Sequence, residues 1–159
     1  MSGVTGAGHG RVEIRRAGAA DAPAVAALHA RAAGRPDDGM EGLHSWERAI
    51  LDGNGRVVCA ALDEAVVAVA AFSRGEGRLE DTVTLTELHV DPAHQGRGIG
   101  SRLHAACLAH WRAELIVQAQ LFVDRDNHRA REFYLSQGWF SLDTDPDQVL
   151  LHLDVESVG

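Results

Sequence analysis

The apolar and polar positions of this chain change period repeatedly, and the changes mark out alternating strands and helices. Val12-Glu13-Ile14-Arg15 alternates as a short strand does. Asp21-Ala22-Pro23 then places a capping residue and an early proline ahead of an alanine-rich run, which predicts a helix to about Ala33. Between Gly34 and Gly42, the residues Pro36, Asp37, Asp38 and Gly39 break a helix, so a second helix is expected from Leu43 to Leu51. Arg56 to Leu62 and Ala65 to Ser73 are β-branched or small apolar runs joined at Asp63-Glu64, the pattern of a tight antiparallel hairpin.

After a loop rich in glycine and charge, Thr82 to Val90 is the clearest strand. It puts Thr84, Thr86, Leu88 and Val90 on one face and Val83, Leu85, Glu87 and His89 on the other. Pro92 ends it. Ile99, Leu103, Ala106, Cys107 and His110 then recur at helical spacing, predicting a helix from about Gly98 to Ala113. Leu115 to Val123 is expected to be a strand. Asn127 can cap a helix whose buried side would be Ala130, Phe133 and Tyr134, with Gly138 closing it. Trp139 to Leu142 and Val149 to Leu153 are expected as a final strand pair around the acidic turn at Asp143 to Asp147.

The resulting order, β-α-α-β-β-β-α-β-α-β-β, describes an α/β chain with a mixed sheet covered by helices. With 159 residues, 45% of them hydrophobic, the chain suits one core, so we expect a single domain over 11–159 behind a glycine-rich, disordered tail over 1–10. That tail lacks the basic start and hydrophobic segment of a secretory signal. The most apolar stretch, Val57 to Phe72, is broken by Asp63 and Glu64, so no membrane span is expected and the cytoplasm is the expected compartment.

Charge and the sulfur and imidazole content narrow the chemistry. A formal net charge of −8 argues against a nucleic-acid surface and favours a cationic partner through long-range steering. Cys59 and Cys107 lie in apolar contexts far apart and fit buried thiols better than a disulfide. The nine histidines form no pair or cluster with zinc-ligand spacing, so no metal is expected.

The segment from Val90 to Gly100, Val-Asp-Pro-Ala-His-Gln-Gly-Arg-Gly-Ile-Gly, joins a strand to a helix. Amides at a helix N-terminus point outward without intrahelical partners and the helix dipole adds positive charge, so a phosphate placed there gains several donors. Gly96, Gly98 and Gly100 let it approach without a Cβ in the way, and Arg97 adds a positive charge. A structural turn has the same pattern. The segment lacks the Lys-Ser/Thr of a Walker loop, and its glycines depart from the dinucleotide fingerprint.

Gln95-x-x-Gly98-x-Gly100, preceded by Glu87-Leu88-His89-Val90-Asp91-Pro92, resembles the acyl-CoA signature of the GNAT acetyltransferase superfamily. A second segment, Val123-x-x-x-Asn127-x-x-Ala130-x-x-Phe133-Tyr134-x-x-x-Gly138-Trp139, is similar to another characteristic stretch of that family. The resemblance covers about Thr82 to Leu142. It implies a mostly antiparallel sheet of six to seven strands with about four helices, splayed between the fourth and fifth strands. It also implies acetyl-CoA as co-substrate, with its pyrophosphate on the amides of Gln95, Gly96, Arg97, Gly98, Ile99 and Gly100. Pantetheine would lie beside Leu88, His89 and Val90, near Asn127, and backbone donors there would face the thioester oxygen. Tyr134, the single tyrosine, matches the family position whose hydroxyl lies near the CoA sulfur, and so becomes the candidate general acid.

Acyl transfer to an amine also needs a proton acceptor. Glu87 shares its strand face with Val83 and Leu85, so a partly desolvated carboxylate can take the proton directly or through water; the same carboxylate can instead attract a cationic substrate. His89 is the second base candidate, because imidazole as a side-chain type exchanges protons near neutral pH. His94 and Arg97 are expected to face solvent, and His104 and His110 to be surface or packing residues. The resemblance implies an acceptor site between the early helices and the last hairpin, where His29, Arg31, Asp37, Asp38, Trp46, Glu47, Asp143, Asp145 and Asp147 are available. A primary amine of a small molecule or peptide is the expected substrate, and exposed final strands would allow a homodimer. A regulatory domain that holds acyl-CoA without turnover, or a module for another phosphate ligand, are the competing readings.

Overall fold

A computed structural model of the chain describes residues 11–34, 40–52, 55–75, 79–144 and 146–157. The elements are β1 (Val12–Arg16), α1 (Ala22–Ala33), α2 (Met40–Leu51), β2 (Gly55–Leu62), β3 (Ala65–Arg74), β4 (Thr82–Val90), α3 (Ile99–Ala113), β5 (Gln118–Asp124), α4 (His128–Ser136), β6 (Phe140–Thr144) and β7 (Gln148–Asp154). The seven strands follow the order β1-β2-β3-β4-β5-β7-β6 in one mixed sheet, in which only β4 and β5 run parallel. Contacts divide the chain into two compact units, one of 11–71 with Glu87–Ala106, the other of Phe72–Thr86 with 107–157.

In the first unit, β1 pairs antiparallel with β2 from Val12 opposite Leu62 to Arg16 opposite Val58. Asp63 and Glu64 turn β2 into β3 with φ of 51° and 72°, the two left-handed residues of a tight hairpin. Val25 and Leu28 of α1 and Trp46 and Ile50 of α2 stand one turn apart on their helices. They close on Val57 and Cys59 of β2 and on Val69 and Ala71 of β3. Removing Leu28, fully buried, from water contributes about 2 kcal/mol. Arg15 grips the carboxylate of Asp21 with two hydrogen bonds of 2.7 and 2.9 Å, fixing β1 to the entrance of α1. Those bonds hold the Asp21 carboxyl below its usual range and raise the Arg15 guanidinium. α2 begins at Met40, ahead of the expected Leu43.

In the second unit, β5 lies antiparallel to β7 from Gln118 opposite Asp154 to Asp124 opposite Gln148, and β7 pairs with β6 across a bulge between Ser141 and Asp143. Ala119, Leu121 and Val123 face inward with Val149, Leu151 and Leu153, as alternation requires. The parallel pairing of β4 with β5 is three residue pairs long, Thr82–Thr84 with Gln118–Gln120. Trp111, fully buried, meets Phe72 at 5.4 Å and Trp139 at 6.4 Å between ring centroids.

The structure departs from expectation at β5 and α4 as well. The fifth strand starts at Gln118 rather than Leu115, because α3 ends in a turn that puts Leu115 at φ 62°, 80% exposed. The Ile116 amide bonds back to the Trp111 carbonyl at 2.9 Å, so this apolar pair belongs to a helix exit. On α4 only Tyr134 is buried; Ala130 and Phe133 are half-buried. Cys59 and Cys107 are buried free thiols, as expected, and burial pushes the Cys107 pKa up to about 12.

Candidate functional site

The loop between β4 and α3 is built by local rules. Asp91 ends β4, accepts the Ala93 amide at 3.0 Å and so caps the short turn Pro92–His94. The same carboxylate holds Arg31 of α1 at 2.8 Å, and the Asp91 amide donates to Val67 of β3 at 2.8 Å. Burial alone would raise the Asp91 pKa; the Ala93 amide and the Arg31 guanidinium outweigh it and bring the carboxyl below its ordinary value. Two anchors therefore fix where the glycine segment begins. Gln95 reaches back to the Val90 carbonyl at 3.4 Å.

Gly96 and Gly98 then adopt φ of 81° and 78°, with no heavy atom within 4 Å of where a Cβ would stand. Left-handed backbone favours glycine, and the space a side chain would fill there is open. α3 starts at Ile99, so the first amides of Ile99 and Gly100 have no carbonyl one turn behind them. Ile99 is buried and anchors the helix start, while Gln95, Gly96, Arg97 and Gly98 are exposed. Arg97 approaches Nδ1 of His94 at 3.4 Å; Arg97 faces solvent as expected, whereas His94 is half-buried. Helix-start amides beside two glycines with open Cβ positions suit a pyrophosphate.

Upstream on β4, strand alternation puts Glu87 and His89 on one face and Leu88 and Val90 on the other, all half-buried. Nε2 of His89 lies 2.7 Å from Oε1 of Glu87, and Nε2 of His29 on α1 approaches the same oxygen at 3.4 Å. The His29 ring meets Trp46 edge-on at 5.6 Å and His89 at 4.9 Å between centroids. Trp46, 7% exposed, thus both packs in the core of the first unit and braces His29. The two base candidates are in contact, and His29 joins them. The sequence groups His29 with the acceptor residues and carries no sign of its contact with Glu87. Nor does it signal the Arg31–Asp91 pair; partners 60 residues apart leave no local pattern.

Asn127 and Tyr134 belong to the second unit. The Asn127 side chain accepts the Ala130 amide at 3.2 Å and caps α4, as expected. Tyr134 is 8% exposed, edge-on to Trp139 at 5.6 Å and Phe133 at 5.2 Å. Its carbonyl accepts the Trp139 amide at 3.1 Å, and Gly138 between them takes φ 102°. Among the acceptor residues, Arg31 engages Asp91 and Asp147 is exposed. Asp37, Asp38, Asp145 and the Asp143 side chain lie outside the described residues. His104 is 1% exposed on α3, which makes it a packing rather than a surface residue, the two roles expected, and burial pushes its pKa down to about 4.

The chain is 43% identical over 56 residues to a mycothiol acetyltransferase of Streptosporangium roseum. That match covers 35% of this chain and 17% of the relative, so the chain spans about a sixth of the curated protein it matches. The structure is similar to the PaiA N-acetyltransferase of Thermoplasma acidophilum in complex with coenzyme A, at TM-score 0.76 and 18% identity over 91% of this chain and 99% of that one. It is also similar to a Salmonella typhimurium protein solved with its cofactor acetyl-CoA, at TM-score 0.74 and 21% identity over 94% and 96% of the two chains. At such identities the likeness is one of fold. The profile described as "Acetyltransferase (GNAT) family" matches residues 23–139. That span runs through most of the sequence and includes both the glycine loop and Tyr134; the chain belongs to the GNAT acetyltransferase family.

Proposed function

We propose that this chain is an N-acetyltransferase that moves the acetyl group of acetyl-CoA directly to a primary amine of a small molecule or peptide. The observation that carries the reading is the pair of open, left-handed glycines at the start of α3, a few residues along the chain from the Glu87–His89–His29 cluster. Family membership and the CoA and acetyl-CoA bound by structural neighbours support the same ligand. A single domain over 11–159 carries the activity in this reading.

Acetyl-CoA supplies the electrophilic thioester carbonyl. The amides from Gln95 to Gly100 hold its pyrophosphate, and the dipole of α3 adds to their pull. Backbone donors at Leu88–Val90 steady the charge that develops on the carbonyl oxygen. Glu87 takes the proton of the incoming ammonium; two imidazoles on one carboxylate oxygen orient it and give the proton a route outward through His89 or His29. Tyr134 returns a proton to the departing thiolate, the role its family position implies. Asn127 fixes the start of α4, and its family position implies a role toward pantetheine or the backbone beside it. The acceptor is a cation before it reacts, which the net charge of −8 attracts.

Free buried cysteines suit a reducing cytoplasm. No helix among the described residues is long and apolar enough to cross a membrane. Phe140 and Leu142 stand exposed on β6, the terminal strand of the sheet, and give a homodimer an apolar surface.

The test is calorimetric titration with acetyl-CoA and, separately, ATP and NAD. Acetyl-CoA alone should bind, and Gly98→Glu, which adds a side chain and a like charge to the cradle, should weaken it at least about tenfold, or 1.4 kcal/mol. Absence of acetyl-CoA binding by the folded protein would end the proposal. Binding without CoA release across a panel of amines would favour a non-catalytic acyl-CoA-binding domain.

A further inference from the structure

Three donor atoms that the sequence scatters converge in the first unit. Nε2 of His29, Nε2 of His89 and a carboxylate oxygen of Glu87 all lie within 4.8 Å of one another. Two imidazoles and one carboxylate form a donor set suited to borderline divalent ions, with further coordination positions left to water. Bonds of about 2.0–2.1 Å in a tetrahedral zinc site place neighbouring ligand atoms roughly 3.3 Å apart. The His29–Glu87 separation, 3.4 Å, already has that length. The His89–Glu87 hydrogen bond, 2.7 Å, needs to open by only about 0.6 Å to reach it, a side-chain rotation.

Preorganisation and access favour a site as well. Positions 87 and 89 share one strand face, and Trp46 braces the His29 ring at 5.6 Å. The side chains of His29, His89 and Glu87 are 21%, 24% and 35% exposed, so an ion can enter from water.

We propose that His29, Glu87 and His89 form a binding site for one divalent transition-metal ion, best suited to zinc. The inference goes beyond acetyl transfer and stands without it. One consequence alone rests on that activity: an ion here takes the lone pairs that would accept the amine's proton, so metal and proton transfer exclude one another at this cluster.

Titration of the full metal-free chain with zinc chloride should show one ion bound per chain, with a dissociation constant on the order of micromolar. Loss of a ligand should cost at least as much as loss of an outer-shell partner, so His29→Ala and His89→Ala should each weaken binding by at least about tenfold. His128→Ala, which removes an exposed imidazole in the second unit, should leave it unchanged. Glu87→Gln and His89→Gln, checked for folding by circular dichroism, provide near-isosteric variants should the alanine forms fail to fold. Zinc X-ray absorption of the wild-type complex should read two imidazole ligands. No binding by the wild-type chain below millimolar zinc would overturn the proposal. So would unaltered affinity in folded His89→Gln, or an equal loss in His128→Ala.

Discussion

At the scale of single residues, the acid–base chemistry concentrates on a few side chains whose surroundings differ sharply. Glu87 is half-exposed and held by two ring nitrogens, so substitution should change its chemistry more than its packing. Glu87→Gln is expected to lower kcat by about a hundred- to ten-thousandfold with little change in KM for acetyl-CoA, as measured by thiol release. His104 is the opposite case, a buried ring whose folded pKa of about 4 lies well below the ordinary 6.5. Above pH 6.5 neither state is protonated there and His104 adds no pH dependence. As pH falls from 6.5 to 4 the unfolded chain binds a proton that the folded chain refuses, so stability declines, by about 3 kcal/mol in all. Urea unfolding at stepped pH should show that decline, and His104→Phe should flatten it.

At the scale of elements, the glycine loop is only as well placed as its anchors. Arg31–Asp91 joins an exposed guanidinium to a mostly buried carboxylate, with 51% and 16% of the two side chains exposed, and Arg31→Ala should cost about 1 kcal/mol. Asp91→Ala removes the Ala93 cap as well as the ion pair, and should cost about 1–2 kcal/mol while also weakening acetyl-CoA binding. Thermal unfolding with and without acetyl-CoA separates the two effects. β4 was legible to the residue, because Thr82–Val90 alternates cleanly and Pro92 stops it. The start of β5 was not, since Leu115 and Ile116 read as strand whether they enter a sheet or cover a helix end. The burial of α4 was overread for a related reason: helical spacing names a face, and only tertiary packing decides how much of it is covered.

At the scale of the whole molecule, the order of elements and the family were readable because their signals are linear: two motifs, a hairpin turn and a few glycines. The Glu87 cluster was half-readable. Glu87 and His89 are two residues apart on one strand, whereas His29 reaches them only after the chain has folded through α2 and two further strands. Spacing rules therefore find zinc motifs on one segment and miss a donor set assembled from two. The excess of acidic residues acts at this scale too. A field from a net charge of −8 should raise the encounter rate with a cationic amine, so kcat/KM should fall as ionic strength rises from about 10 to 150 mM, while a neutral analogue should show little change.

The edge-on packing of Trp46 on His29 also gives the protein an optical handle. An imidazolium ring quenches a neighbouring indole far more than a neutral or liganded one does, and Trp46 is the indole set against the His29 ring, 5.6 Å away. The other two tryptophans, Trp111 and Trp139, meet edge-on in the second unit. Subtracting the emission of Trp46→Phe from that of the wild type leaves a fluorescence signal from beside the cluster. Without any added dye, that difference spectrum can follow a proton, an ion or an amine arriving at Glu87 in real time.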